Sequence, residues 1–334
     1  LSRVHSFNRA PVLLALALIF TTPAVCAHAG APSGTFTTVF ENDLFYRADR
    51  DYTNGIEFNW SPTGSASEQL TEFLANMTPG LLPRNTTRVN YSLGQMMFTP
   101  EDTAAYDPPL TQRPYAGYLY GALALTSIGP GTEEQLRIQL GAIGPASLAA
   151  DSQDLVHRIR GFALPQGWHT QLRDEPGVVV SYQVTKEAVS LVLPGDFAFD
   201  VKGNAGGAIG NVFDYASAGA MARIGINMPG DGGPPQIEPG RPSSYYYDPK
   251  PGLGAYVFAG IQGRAVARNL FLDGNSFQDS RSVEKENFVG EVSFGGALDY
   301  ERFRLSFVHV IRSREYQTQP GFDQFGTLSL AVNL

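Results

Sequence analysis

Tyr52-Thr53-Asn54-Gly55-Ile56-Glu57-Phe58-Asn59-Trp60-Ser61-Pro62 is the stretch whose reading decides the fold. Tyr52, Ile56, Phe58 and Trp60 fall on one face, and Thr53, Gly55, Glu57, Asn59 and Ser61 on the other. Alternation with period two is the mark of a strand with one apolar face. In a soluble sandwich that face turns to a core; in a membrane barrel it turns to lipid while the polar face lines the interior. One strand does not separate the two, but the number of repeats does.

The same alternation recurs near 35–45, 52–62, 87–98, 115–127, 134–144, 177–186, 196–208, 214–227, 253–268, 285–298, 303–314 and 324–334. An even set of about twelve brings both ends of a closed antiparallel barrel to the same, periplasmic, side. In the last stretch Leu328, Leu330, Val332 and Leu334 alternate with Thr327, Ser329, Ala331 and Asn333, although bacterial barrels more often finish on Phe than on Leu. Only 17% of the chain is charged, against about 25% in an average domain. Glycine and aromatics are abundant, and no run of 18 apolar residues follows the leader. This composition excludes a helical membrane protein and fits an all-β, antiparallel transmembrane barrel with a short helix in an extracellular loop.

Residues 1–29 read as a cleaved secretory signal peptide, with Arg3 and Arg9 before the apolar run Pro11–Phe20 and Ala27-His28-Ala29 as the cleavage signal. Residues 30–334 then form one barrel domain. Cys26, the only cysteine, would leave with the leader, so no internal disulfide is expected. The leader carries two of the 24 Lys and Arg and none of the 32 Asp and Glu, which leaves no basic excess for nucleic acid.

With the first strand running outward, the long 145–176 connection is extracellular. Arg264, Arg304 and Arg312 then point into a narrow lumen. Gly129-Pro130-Gly131 and Asp299-Tyr300 are periplasmic turns, joined there by a short helix near Ser65–Met77 and a Pro/Gly-rich loop from Met228 to Pro251. Those two long connections strain the rule of short periplasmic turns. Within Ala146–Phe162, Leu148, Leu155 and Ile159 recur at helical spacing, and Gln153 and His157 share one face of that helix.

Three histidines follow the leader. His309 has the parity of Phe303, Leu305 and Phe307 and reads as lipid-facing; His169, between Pro165 and Pro176, reads as an exposed loop residue. His157 on the residues alone is more plainly a surface histidine than a base. The polar run Glu41-Asn42-Asp43, followed by Asp49-Arg50-Asp51-Tyr52-Thr53-Asn54-Gly55, gathers the oxygen ligands hard calcium prefers. It reads equally as a solvated Asx-rich hairpin. The Gly-x-Ser-x-Gly elbow, the His-Glu-x-x-His zinc pattern and the Walker loop are absent from the sequence.

Phe40-Glu41-Asn42-Asp43, Asp51-Tyr52-Thr53-Asn54-Gly55, Arg113-Pro114-Tyr115-Ala116-Gly117, Ile143-Gly144-Pro145-Ala146, Val156-His157-Arg158 and Pro165-Gln166-Gly167-Trp168 occur in an order and spacing that resembles the outer-membrane lipid A 3'-O-deacylases. The resemblance implies a twelve-stranded barrel with a calcium-dependent site between its wall and an outer-loop helix, acting on lipid A of lipopolysaccharide. It implies His157 as catalytic base, Asn42, Asp43 and Thr53 as catalytic, and Asn42, Asp43, Thr53 and Gln153 as candidate ligands of the metal, Ca2+. Arg113 could pair with a lipid A phosphate or be an ordinary rim arginine. Ala163 stands where some relatives place a carboxylate, and an oxyanion-holding lysine has no counterpart after Pro100. A phospholipase of the outer membrane and a non-enzymatic channel or structural barrel are the alternatives; the oligomeric state is left open.

Overall fold

A computed structural model describes residues 33–43, 51–77, 86–195, 197–237, 239–240 and 244–334. The expected leader and Asp49-Arg50 lie outside the described residues. Twelve antiparallel strands form a closed barrel: β1 (Gly34–Asn42), β2 (Asp51–Pro62), β3 (Thr86–Thr99), β4 (Ala116–Gly129), β5 (Thr132–Ile143), β6 (Glu175–Val192), β7 (Phe197–Gly210), β8 (Phe213–Ile226), β9 (Leu253–Asn269), β10 (Phe288–Tyr300), β11 (Phe303–Arg312) and β12 (Asp323–Asn333). Three helices occupy connections: α1 (Ser65–Met77) after β2, α2 (Ala149–Arg160) after β5 and α3 (Leu270–Asp273) after β9. No described helix is long and apolar enough to cross a membrane.

Each strand pairs with its neighbour in the chain, and β1 closes the cylinder against β12 from Thr35↔Asn333 to Asn42↔Gly326. Gly34 and Leu334 exchange main-chain hydrogen bonds, so both described ends meet at one end of the barrel, here the terminal end. The connection bearing α2 lies at the other, the helix end.

Alternation places Phe58, Leu93, Ile138, Leu140, Leu328 and Leu330 on the outward face, all exposed, as a bilayer requires of a wall. His309 stacks on Phe294 along the same face, with ring centroids 4.7 Å apart, and His169 is an exposed loop residue stacked on Tyr106, both as expected.

Tyr52 is a correction. It was grouped with Ile56, Phe58 and Trp60, yet its ring lies inside the barrel against Phe98 and Phe325, at 5.3 and 5.1 Å. A β-bulge between Tyr52 and Asn54 inserts one residue, so parity changes at Thr53.

The lumen is filled by paired charges, and Arg264, Arg304 and Arg312 point inward as expected. Arg137 meets Glu57 at 2.5 Å; Arg223 pairs with Asp200 and Asp231; Arg304 pairs with Asp299 and Asp231; Arg264 and Arg312 share Glu291. Burying charges is tolerated because each finds a counter-charge and further hydrogen bonds.

The segment read as a simple loop, Met228 to Pro251, enters the lumen from the terminal end as a plug. Asp231, Gln236, Ile237, Ser244, Tyr245 and Tyr247 on it are buried. Inward side chains of the wall satisfy its backbone, as buried irregular chain demands: Thr35 donates to the Tyr247 oxygen, Thr37 to the Tyr245 oxygen, Lys202 to the Asp231 oxygen and Arg264 to the Pro239 oxygen. A segment rich in turn formers has no ladder of its own. Here the wall supplies one.

Candidate active site

At the helix end, β5 runs into a 3-10 turn, Gly144–Ser147, and then α2. Leu148 adopts a left-handed conformation (φ 60°) between them, and Gly161 (φ 70°) ends the helix, where lack of a side chain makes that conformation inexpensive. The turn is pinned to the outside of the wall. Gln95 of β3 donates to the Ser147 oxygen at 2.7 Å. A Cβ at Gly117 of β4 would lie 2.1 Å from Ser147 Oγ and 2.3 Å from the Ala149 Cβ, so only glycine permits this approach.

Ala149, Gln153 and His157 are the buried residues of α2, spaced four apart as one stripe against the barrel. Met97 of β3, Tyr115, Ala149 and Trp168 pack together in the seam between helix and wall. One flank of the helix exposes Leu148, Leu155, Val156 and Ile159; the other carries Asp151, Asp154 and Arg158. That segregation suits a helix lying where acyl chains give way to water.

Two contacts orient the wall-facing polar groups. Trp168 Nε1 donates to Gln153 Oε1 at 2.7 Å, which fixes the amide and leaves its Nε2 buried without a hydrogen-bond partner. His157 Nδ1 lies 2.6 Å from the Ala163 main-chain oxygen. A carbonyl can only accept, so Nδ1 carries the proton and Nε2 presents a lone pair. Ala163 thus meets the imidazole through its backbone carbonyl and not through a side chain.

Asn42 ends β1 and has the outward parity of Phe36 and Phe40. Its Nδ2 donates to the Thr53 oxygen at 3.0 Å, which ties β1 to β2 at this point. The Thr53 hydroxyl, redirected by the bulge, meets the Thr99 hydroxyl at 2.6 Å, on the parity of Met97. Asp43 is wholly buried beside Asn42 in the chain.

The structure therefore brings Asn42 and Thr53 into contact and sets Gln153 and His157 on one stripe. Met97 links the halves, opposite Asn54 on one side and packed on Ala149 and Trp168 on the other. Thr99 belongs to the site and went unnoticed, since only the bulge delivers Thr53 to it.

Arg113 does not join them. It is 1% exposed, pairs with Glu315 at 3.3 Å and lies over the Phe98 ring, on the inner side of the wall. Its guanidinium is therefore turned to a buried carboxylate rather than to solvent. Gln153 gives its oxygen to Trp168 as acceptor, which leaves that oxygen one further lone pair. Among the described residues no group of three or more His, Cys, Asp or Glu could hold a metal.

The Asn42 amide, the Asp43 carboxylate and the Thr53 hydroxyl are hard oxygen donors at adjoining ends of β1 and β2. Calcium accepts mixed amide, hydroxyl and carboxylate oxygens together with water, so these residues fit that ion.

No curated protein matches the sequence. Among solved structures, LpxR from Salmonella typhimurium superposes with a TM-score of 0.75 at 18% identity, covering 90% of this chain and 100% of that one. The beta domain of the Bordetella autotransporter BrkA (TM-score 0.41, 10% identity, 91% and 100% covered) and an outer membrane channel from Pseudomonas putida F1 (0.39, 12%, 94% and 100%) are too distant to bear on the site. A family model described as outer membrane protein LpxR matches residues 12–334, nearly the whole sequence. With that match the chain belongs to the LpxR family of outer membrane proteins.

Proposed function

We propose that the chain is a calcium-dependent ester hydrolase that removes the 3'-linked acyloxyacyl chain of lipid A in the outer leaflet, with His157 as general base. Family membership and the motif resemblance support the substrate. The observation that carries the mechanism is the His157 Nδ1 contact with the Ala163 carbonyl, which prepares Nε2 as acceptor on the side of the helix that faces the wall.

In this reading His157 Nε2 takes a proton from water, whose oxygen attacks the acyl carbonyl. The carbonyl oxygen gains negative charge, and Gln153 Nε2, buried and otherwise unpartnered, donates to it. As the tetrahedral adduct collapses, the imidazolium returns the proton to the departing sugar oxygen, leaving a free hydroxyl and a fatty acid. Asn42, Asp43 and Thr53 would hold calcium, which when bound supplies positive charge near the developing oxyanion. With the terminal end in the periplasm, α2 stands at the outer leaflet. Its apolar flank of Leu155, Val156 and Ile159 suits a substrate that enters sideways from lipid.

Mass spectrometry of lipid A from cells expressing the unmodified chain or His157→Ala tests the proposal. Loss of the 3'-linked chain with the former alone is expected; unchanged lipid A with the former, in calcium, sinks it. Release from purified glycerophospholipid instead would favour a phospholipase. Against a channel stands the lumen, filled by the plug and paired charges.

A further inference from the structure

Glu41 and Gly55 stand inside the two motifs that supply Asn42 and Thr53, yet the proposed reaction uses neither. They are cross-strand partners on β1 and β2, and both face the lumen. The tip of the plug meets them there. The Ile237 N–H donates to Glu41 Oε1 at 3.0 Å, and the Thr327 hydroxyl of β12 donates to the same oxygen at 2.9 Å. A Cβ at Gly55 would lie 2.8 Å from Ile237 Cδ1 and 2.1 Å from the Tyr52 hydroxyl, so the missing side chain lets the plug close on the wall. Pro239, two residues on, accepts from Arg264 and extends the grip to β9.

In a strand successive side chains leave opposite faces, so clamping Glu41 from inside sets the direction of Asn42 outside. The bulged Tyr52–Asn54 segment is the part of β2 whose ladder is least regular, and therefore the part most in need of a backing. We propose that the plug tip is a positioning element for the site: Ile237, through Glu41 and across Gly55, holds β1 and β2 at the spacing that aims Asn42 and Thr53 at α2. Glu41 is a positioning residue, and it acts by accepting hydrogen bonds rather than by its charge. This rests on the hydrolase reading for its kinetic test, and has a structural test that does not.

The kinetic test compares the unmodified chain with Glu41→Gln, Glu41→Leu and Ile237→Ala in vesicles containing lipid A and calcium, folding being verified by heat-modifiable gel mobility. Misplacement of a catalytic group by about 1 Å costs on the order of 100-fold. Glu41→Leu and Ile237→Ala are expected to lower kcat by roughly 10- to 100-fold with KM within about twofold. Glu41→Gln keeps an acceptor oxygen and should retain most of the rate. Unaltered kcat in the first two, or a Glu41→Gln as slow as Glu41→Leu, overturns the proposal.

The structural test places nitroxides at Phe40→Cys and Ile159→Cys, with Cys26 replaced by serine, and measures their separation by pulsed electron resonance. Ile237→Ala is expected to broaden or shift the distribution; an unchanged distribution overturns positioning whether or not lipid A is cleaved. A chain that cleaves no lipid A yet shows the shift refutes the hydrolase reading alone.

Discussion

His157 Nδ1 and the main-chain oxygen of Ala163 lie 2.6 Å apart, so the catalytic candidate is oriented by the chain that immediately follows its own helix. Gly161 makes this possible: its left-handed turn ends α2 and folds the next residues back over the imidazole. A backbone acceptor fixes the tautomer without adding a charge, so Ala163→Gly should leave turnover within about threefold, whereas His157→Ala should lower it by roughly 100- to 10,000-fold. Acyl release from lipid A, followed by mass spectrometry, measures both.

Gln153 offers a sharper division of roles. Replacing it by Glu keeps an acceptor for Trp168 but removes the buried N–H donor. Turnover should fall by roughly 100- to 1,000-fold, the cost of one oxyanion donor, with the calcium midpoint unchanged. A midpoint moved to lower calcium would make Gln153 a ligand instead.

For Asn42→Ala and Asp43→Ala the expectation is the reverse. Each should raise the calcium concentration for half-maximal rate by about tenfold or more, as loss of one oxygen from a small set weakens a hard-cation site. Rate against free calcium in a chelator-buffered series reads this directly. An unaltered midpoint in both would remove the corner of β1 from the metal site.

Part of the fold and of the candidate site was legible in the sequence, and part was not, for physical reasons. Period-two alternation showed all twelve strands because lipid and lumen demand opposite side chains at every step. The helix at 146–162 showed itself by the change of rhythm, and Gln153 and His157 by their spacing. Tyr52 was misplaced because a bulge leaves no residue signature, and Thr99 was missed for the same reason. The burial of Arg113 left no mark in the sequence, since a charge in a loop ordinarily seeks water and its partner, Glu315, is brought beside it only by closure of the barrel. The Met228–Pro251 plug resembled a surface loop because its hydrogen-bond partners are spread over β1, β5, β7 and β9.

Acid should loosen the barrel through its buried carboxylates. Burial alone would raise Asp231, but Arg304 and Arg223 outweigh it and hold its carboxyl well below the usual range. Burial likewise opposes Arg312 and Arg113 at Glu315, and the net shift is downward. A depressed folded-state value contributes stability that is complete above the unfolded value, about 4, and is lost as pH falls through the folded one. The contribution of these two carboxylates to unfolding midpoints in detergent should therefore be constant from pH 7 to about 5 and be lost below about 4. Asp231→Asn should lower stability at pH 7 and flatten the acid limb.

Asn42 lies on the strand that is paired across to β12, opposite Gly326, while its other neighbour is Asn54. The corner that would gather metal and water thus lies at the closing seam of the cylinder, where Asn42 is flanked by the first hairpin on one side and the last strand on the other. A chain with its sheet still open would hold Asn42 from the β2 side alone. Full alignment of the proposed site would then wait on closure of the barrel, so that folding and onset of chemistry are coupled through a single strand pairing.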